Sequence, residues 1–384
     1  MGRITIVGGG FAGFWAGVAA ARVLDGRHEV CLVSRSPTLV MRPRLYEADP
    51  ASLGINIRPL LDSVGVRLVE AEAVSLDLYE GAVHLATGSP VPFDRVVVTT
   101  GSVLSLPDVD GVDCAFSIDT QAAAIELDRA LAEIAMSGEP PSIAVIGAGP
   151  TGIELALELR DRIDLHAAGR GNDAYILLLD SSEVVGSELG AGPRPAIEAA
   201  LDEARIEVRL GARIRHIESD HILLDSGHRF DVHATVLATG MVADGFTRNI
   251  PGDRDSFGRI LVAPDLSAPE APAVFVAGDA AAADTGDGHL ALQSCQHALR
   301  MGRFAGENAA RDLLGQPTLP YRQRRYVTCV DLGRSGAVQT TGWDREVVAT
   351  GPEAGTVKRH INEVVIYPPT EGGRDALLEA SRVP

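Results

Sequence analysis

A Gly-rich turn that occurs twice in the same setting constrains this chain more than any other feature. Near the start, Ile4-Thr5-Ile6-Val7 reads as a short buried strand. Gly8-Gly9-Gly10-Phe11-Ala12-Gly13 follows, then an Ala-rich helix to about Leu24 and a second strand from His28 to Val33. About 140 residues later the pattern returns. Ser142 to Ile146 is a strand, Gly147-Ala148-Gly149-Pro150-Thr151-Gly152 the turn, Ile153 to Arg162 a helix and Tyr175 to Leu179 the partner strand. Both copies carry the Gly-x-Gly-x-x-Gly spacing between strand and helix that suits a dinucleotide. Gly8 and Gly147 permit the tight turn, and Gly10 and Gly149 let backbone amides approach a pyrophosphate. Gly13 and Gly152 let the helix lie against the strand. Phe11, Ala12, Pro150 and Thr151 stand at the helix starts, whose partial positive charge faces the phosphates. One copy alone could reflect glycines that only ease helix–strand packing. The repeat between the same elements favours two dinucleotide sites.

The residue ending each second strand separates the two. After the second turn it is Asp180, 28 residues beyond Gly152, with a loop around Ala168 to Asn172 taking up the extra length. A carboxylate there accepts hydrogen bonds from a ribose 2′-OH and repels a 2′-phosphate, and Asp180-Ser181-Ser182 offers no neighbouring cation. NADH is therefore expected over NADPH. After the first turn the position falls on Ser34, followed by Arg35. Serine can still bond a ribose hydroxyl.

The formal net charge is −18, from 34 basic and 52 acidic side chains. That surface repels nucleic acid and anionic lipid, while local helix N-termini still bind anionic cofactors. Cys31, Cys114, Cys295 and Cys329 form no CxxC, zinc or disulfide pattern, which suits a reducing cytoplasm. Ile4 to Leu24 is apolar enough to resemble a signal peptide. The Gly-rich turn, Arg22 and the lack of an A-x-A site argue against that. No run of about 20 apolar residues spans a membrane.

Asp94 to Gly101 and Ala234 to Gly240 are apolar strands that both close in Thr-Gly, one before the second unit and one after it. They read as crossings of a domain inserted in another, or as two ordinary strand ends. Ala273 to Val276 is a further buried strand, running through Ala277 into Gly278-Asp279-Ala280-Ala281. Asp279 could hold a sugar-alcohol hydroxyl while the following helix N-terminus faces an electron-rich ring, or could simply cap that helix.

In this order the motifs resemble the two-dinucleotide-binding-domain flavoproteins, the pyridine nucleotide-disulfide reductase fold. The resemblance covers roughly residues 3 to 315. It implies an α/β fold of two Rossmann-like domains, the second inserted in the first, plus a C-terminal α+β unit. The expected bounds are 1–115 and 236–315 for an FAD-binding domain, 116–235 for an NADH-binding domain and 316–384 for the rest. FAD is implied on Gly8, Gly10, Gly13 and Asp279, with Ser34, Arg35, Arg42, Gly101, Gly240, Gly278 and Ala280 beside them. NADH is implied on Gly147, Gly149, Gly152 and Asp180. Glu154, two residues past the last Gly, is implied beside the nicotinamide, or is a first-turn helix acid.

Disulfide reductases of this fold carry a Cys pair after the first ribose-binding strand. Ser36 to Glu47 contains none, so electrons are expected to leave from the flavin directly. Arg42-Pro43-Arg44-Leu45-Tyr46-Glu47 is similar to the Pro-Leu-Leu-Tyr-Glu segment of type II NADH dehydrogenases. Gln293 to Gly302 resembles their Ala-Gln…Gln-Gln-Gly helix, with Gln296 at the first glutamine and Arg300 in place of the next. Gln296 and His297 are thus candidates for the acceptor side, His297 as a proton donor or as a packed residue. Cys295 reads as a small buried side chain or a reactive thiol. The tail is short and acidic, unlike a membrane-binding helix.

The expected activity is hydride transfer from NADH to FAD and onward to a quinone or quinone-like small acceptor. The alternatives are a reductase of a ferredoxin- or rubredoxin-like carrier docking on Arg322, Arg324 and Arg325, a reductase of a specialised metabolite, or an NADH-sensing flavoprotein. A homodimer is compatible with the sequence, whereas peripheral membrane contact is not favoured.

Overall fold

Four of the five residues of β1 (Arg3–Val7) are buried, as expected for a parallel strand covered on both faces. The chain turns through Gly8 into α1 (Phe11–Leu24) and returns as β2 (Glu29–Ser34), parallel to β1. In this computed structural model residues 1–323 and 325–383 are described.

β1 and β2 sit in a six-stranded sheet ordered Ser267–Ala268, Ala271–Val276, Arg95–Val98, β1, β2, Val66–Glu70. All its pairings are parallel except the Ser267–Ala268 edge. β3 (Ser142–Ile146), α2 (Pro150–His166) and β4 (Tyr175–Leu179) repeat the unit in a five-stranded parallel sheet. Its order is Phe116–Ser117, Ala234–Leu237, β3, β4, Glu207–Arg209.

The repetition extends beyond the turns. In each unit a three-stranded antiparallel meander precedes the strand on the far side of the first one. The meanders begin at Ala73 and Ile214 and lead into Arg95–Val98 and Ala234–Leu237. The first sheet takes strands from both sides of the second in sequence. The chain passes between them along an antiparallel ribbon, Ser102–Leu104 with Met241–Ala243. These are two Rossmann-like domains, the second inserted in the first.

The long helix α3 (Cys295–Leu313) packs on α1 backbone to backbone. A Cβ on Gly302 would stand 2.2 Å from the Ala12 carbonyl oxygen, and one on Gly306 2.1 Å from that of Ala16. Past α3 the chain forms an antiparallel sheet of Val327–Asp331, Ala337–Thr341 and Glu346–Thr350, covered by α4 (Gly351–His360). A final helix, Gly373–Ala380, lies against α1.

Two local expectations need correction. No helix follows Asp279 directly: Gly278–Ala280 is one 3-10 turn, and Ala281–Ala282 is extended because it pairs with Ile260–Leu261. The long helix starts only at Cys295. The loop expected around Ala168 to Asn172 holds a helical turn, Arg170–Asp173, because Asp164 and Arg160 bond the Gly171 amide and carbonyl at 2.6 and 2.8 Å. Among the described residues no helix is long and apolar enough to cross a membrane. Of the basic cluster, Arg322 and Arg325 are exposed and Arg324 lies outside the described residues.

Candidate functional site

The two Gly-rich turns have the same construction. Gly8 and Gly147 have φ of 107° and 111°, a region where only glycine is unstrained. Their amides donate to Val33 and Leu179 at 2.9 and 2.8 Å, tying each turn to its second strand. A Cβ on Gly13 or Gly152 would lie 1.8 Å from the carbonyl oxygen of Gly8 or Gly147. Gly10 and Gly149 are the N-caps of α1 and α2 with no capping side chain. Their helices therefore present free N–H groups. Phe11 and Ala12 are partly and fully buried under the first turn; Pro150 is partly buried and Thr151 exposed at the second.

The strand-end residues also correspond. Asp180 accepts from the Ala148 amide at 2.5 Å and from the Ser182 amide at 2.7 Å. In the first unit a Cβ on Gly9 would meet the Ser34 oxygen at 2.4 Å, so Ser34 stands against Gly9 as Asp180 stands against Ala148. The Ser34 hydroxyl donates to the Ser36 carbonyl at 2.8 Å, and Arg35 is exposed.

Fit for a bound dinucleotide is clearest at the first turn. A Cβ on Gly10 would meet no protein atom within 4 Å, so the space before this helix end is open. At the same end of the sheet four segments converge. Ser102 donates to an Asp279 carboxylate oxygen at 2.7 Å, and Arg42 donates to Ser102 at 2.9 Å and to the Met241 sulfur at 3.1 Å. Arg42 is also paired with Asp119 and stands 4.0 Å from Asp279. Burial raises the pKa of Asp279, and the Ser102 bond and the Arg42 charge pull it back. Gly101 and Gly240, both at positive φ, begin the ribbon that carries Ser102 and Met241. Gly278, at φ 72°, would bring a Cβ within 3.0 Å of Ala12, and Ala280 is buried. Hydroxyl, carboxylate and guanidinium beside an open helix N-terminus offer both donors and acceptors, a set that fits a sugar-alcohol diphosphate. The sequence pointed to Arg42, Gly101, Gly240 and Asp279; Ser102, Asp119 and Met241 become neighbours only through the ribbon.

Glu154 leads away from the turn. It is 7% exposed on α2, accepts from the Lys358 ammonium of α4 at 2.7 Å, and accepts from the Asp331 amide at 2.9 Å. Burial raises the pKa of Glu154 against the pull of Lys358. Burial also works against the Lys358 charge, but Glu154 outweighs it, and Lys358 stays protonated. The Tyr46 hydroxyl donates to the Asp331 carboxylate at 3.0 Å, and Asn362 donates to the Tyr46 oxygen at 3.3 Å and to Glu47 at 2.8 Å. Glu158, one helical turn past Glu154, is pushed up to about 7 by burial and by the charges of Asp331, Asp161 and Glu47. The Tyr46-Glu47 pair thus reaches the C-terminal unit. No motif surrounds Lys358 in the sequence, and the signal that singles it out is that it is the only lysine among 34 basic residues.

The remaining candidates lie on α3. Both amide atoms of Gln296 are engaged by the Val327 backbone, donating at 3.0 Å and accepting at 3.3 Å, so it pins the C-terminal sheet to the helix. His297 is fully buried. Its Nδ1 is 2.8 Å from the Ser294 hydroxyl, and its Nε2 has no partner among the described residues. Burial, with Arg259 and Arg345 nearby, lowers its pKa to about 4. It is neutral at pH 7, so any proton it gives is not an imidazolium proton. Its ring stacks on Tyr326, Tyr326 on Trp343 and Trp343 on His289. Cys295 is half-buried and pushed up to about 11 by burial, which makes it a poor thiolate.

The profile of the pyridine nucleotide-disulphide oxidoreductase family matches residues 2–302. The chain belongs to this family. It is 40% identical to an NADH dehydrogenase-like protein of Mycobacterium tuberculosis, over 99% of this chain and 98% of that one. It is 25% identical to a demethylphylloquinone reductase of Synechocystis, over 88% and 86% of the two chains. Among solved structures, the NDH2 of Plasmodium falciparum in complex with NADH has the same fold, with a TM-score of 0.79 at 11% identity over 99% and 97% of the chains. This family member is an NADH-dependent flavoprotein oxidoreductase whose cofactors are FAD and NADH.

Proposed function

We propose that this oxidoreductase passes electrons to a quinone or quinone-like small molecule. In this reading residues 1–115 and 236–315 hold FAD through Gly8, Gly10, Gly13, Ser34, Arg42, Ser102 and Asp279. Residues 116–235 hold NADH through Gly147, Gly149, Gly152 and Asp180. When bound, NADH supplies a hydride that FAD accepts and passes on as electrons. The chain's own residues bind, orient and supply protons. The amides of α1 and α2 meet phosphates, and Asp180 favours a free 2′-OH.

The observation that carries the reading is the pair of equivalent cradles joined without a dithiol, since the segment after Ser34 holds no cysteine. The names of the quinone-reducing relatives support the acceptor class. So does the proton inventory: converting a quinone to a quinol takes two protons, and the hydride accounts for one. The buried pair holds a proton at Lys358 Nζ beside Glu154, and the bonds through Asp331, Tyr46, Asn362 and Glu47 lead outward. Gln296 and His297 act by position, fixing the C-terminal sheet and the aromatic stack against α3.

The test is an anaerobic NADH titration followed at visible wavelengths, then mixing with a water-soluble quinone. NADH should bleach the flavin more readily than NADPH, and the quinone should restore it within a turnover time. Flavin that stays reduced with quinones but is reoxidised by a ferredoxin would overturn the acceptor assignment.

A further inference from the structure

The two cradles differ in one respect. The space in front of Gly10 is empty, whereas a Cβ on Gly149 would lie 2.5 Å from a Glu188 carboxylate oxygen. The second glycine of this turn is where a pyrophosphate approaches most closely. A protein carboxylate therefore occupies that approach at the second site.

Glu188 is carried there by a short turn, Ser187–Leu189, tethered to the phosphate loop by the Gly186 amide bonding the Ala148 carbonyl at 2.9 Å. The other side of this turn meets the hairpin between Ala337–Thr341 and Glu346–Thr350. A Cβ on Gly192 would stand 2.5 Å from the Arg345 carbonyl oxygen, and one on Gly190 would touch the Arg345 side chain at 3.5 Å. Arg345 is 8% exposed and has φ of 57°, a strained value for a long side chain. Its guanidinium lies 4.5 Å over the Tyr326 ring, and its Nη1 is cut off from solvent with no acceptor among the described residues. Crowding raises the pKa of the Glu188 carboxyl. Arg345 is the cation that pulls it back, and Asp180 adds to the rise. The Arg345 guanidinium interacts with the Tyr326 hydroxyl and the Glu188 charge, yet keeps one buried donor, Nη1, unused among the described residues beside the second Gly-rich turn.

We propose that Arg345 is a positioning residue for the NADH pyrophosphate, and that Glu188 stands in for that phosphate until NADH displaces it. The inference rests on NADH binding at the Gly147–Gly152 turn. The C-terminal unit then takes part in nicotinamide-dinucleotide binding, and Glu188 lowers NADH affinity by competing for α2 and for Arg345. Glu188 has a flexible side chain and can swing out; Gly149 and Arg345 are held by backbone.

The test uses the FAD-loaded protein and measures the NADH dependence of anaerobic flavin bleaching by stopped flow. A parallel series uses 1-benzyl-1,4-dihydronicotinamide, which donates a hydride but carries no phosphate. Glu188→Gln should lower the NADH concentration for half-maximal rate about threefold or more. Arg345→Gln should raise it about tenfold or more, the loss expected for a charged donor to phosphate, with Arg345→Lys between. For Arg345→Gln the ratio of NADH to benzyl-compound rates should fall. Equal effects on both donors would make Arg345 merely structural, and weaker NADH binding in Glu188→Gln would refute the stand-in. Gly149→Val separates the underlying reading: if its NADH response matches the wild type, NADH does not bind at this turn. If it loses the response while the Glu188 and Arg345 variants behave as wild type, only the present proposal fails.

Discussion

Replacing Lys358 by Met would strand the Glu154 carboxylate in the protein with its Asp331 amide bond as the only compensation among the described residues. Removing one partner of a buried ion pair costs about 3–5 kcal/mol. At roughly 2 cal/mol/K per residue, 384 residues give an unfolding entropy near 0.8 kcal/mol/K, so 3 kcal/mol corresponds to a fall in Tm of roughly 4 °C. Glu154 can lessen the loss by taking a proton. Its folded pKa in the variant then lies above the unfolded value of about 4.3, so the destabilisation is full above the folded pKa and fades as pH falls toward the unfolded one. Thermal melts of wild type and Lys358→Met should therefore be far apart at pH 8 and converge toward pH 5. Adding Glu154→Gln should recover much of the loss at pH 8, since the amide keeps an acceptor for Asp331 without a charge. Lys358→Arg should keep the charge pair and most of the stability yet slow quinone turnover, because a guanidinium does not release its proton. A gap between melts that is constant with pH, or a double variant no better than Lys358→Met, would refute this account of the pair.

Three further outcomes follow from the geometry. Gly13→Ala and Gly152→Ala each drive a Cβ into a carbonyl oxygen 1.8 Å away; the first should cost bound flavin, while the second should keep the flavin spectrum and lose NADH bleaching. Asp180→Ala removes the acceptor of the Ala148 and Ser182 amides, so the KM for NADH should rise and the preference over NADPH shrink about tenfold. His297, held near pKa 4 when folded and about 6.5 when unfolded, contributes stability that is present above pH 6.5 and lost as pH falls toward 4, up to roughly 3 kcal/mol. His297→Phe should flatten that acid limb in Tm against pH.

The units organised by local rules were legible in the sequence. A Gly-x-Gly-x-x-Gly between apolar strands dictates its own geometry, because the φ of Gly8 and Gly147 and the crowding at Gly13 and Gly152 follow from backbone sterics alone. Ser34 was legible from its spacing, about 20 residues past the first turn; its contact with Gly9 is seen only in the structure. The helix expected after Asp279 was misplaced because a two-residue strand pairing, Ala281–Ala282 with Ile260–Leu261, overrides the local pattern. Arg42 and Asp279 were legible singly, but Ser102 and Met241 were hidden, since the four meet only when the ribbon between the two domains closes. Sequence spacing put Glu154 near the second turn but did not reveal that it is bonded to residues 331 and 358.

The C-terminal unit is where this matters most for chemistry. Its three strands carry no motif, yet they supply the Asp331 amide to Glu154, the Val327 backbone to Gln296 and, at a hairpin, the buried Arg345. A unit that only covered the flavin domain would not need these polar contacts. It would not place its one lysine, in a chain that otherwise uses arginine throughout, against a buried carboxylate. Arginine would make the stronger fork with Glu154 if charge pairing were the whole purpose. An ammonium differs in having a proton it can give up, as the proposed quinone reduction needs, and Glu154, which raises the Lys358 pKa, holds that proton on the lysine while the pair is intact. Comparing Lys358→Arg with Lys358→Met therefore separates holding the fold together from supplying the proton.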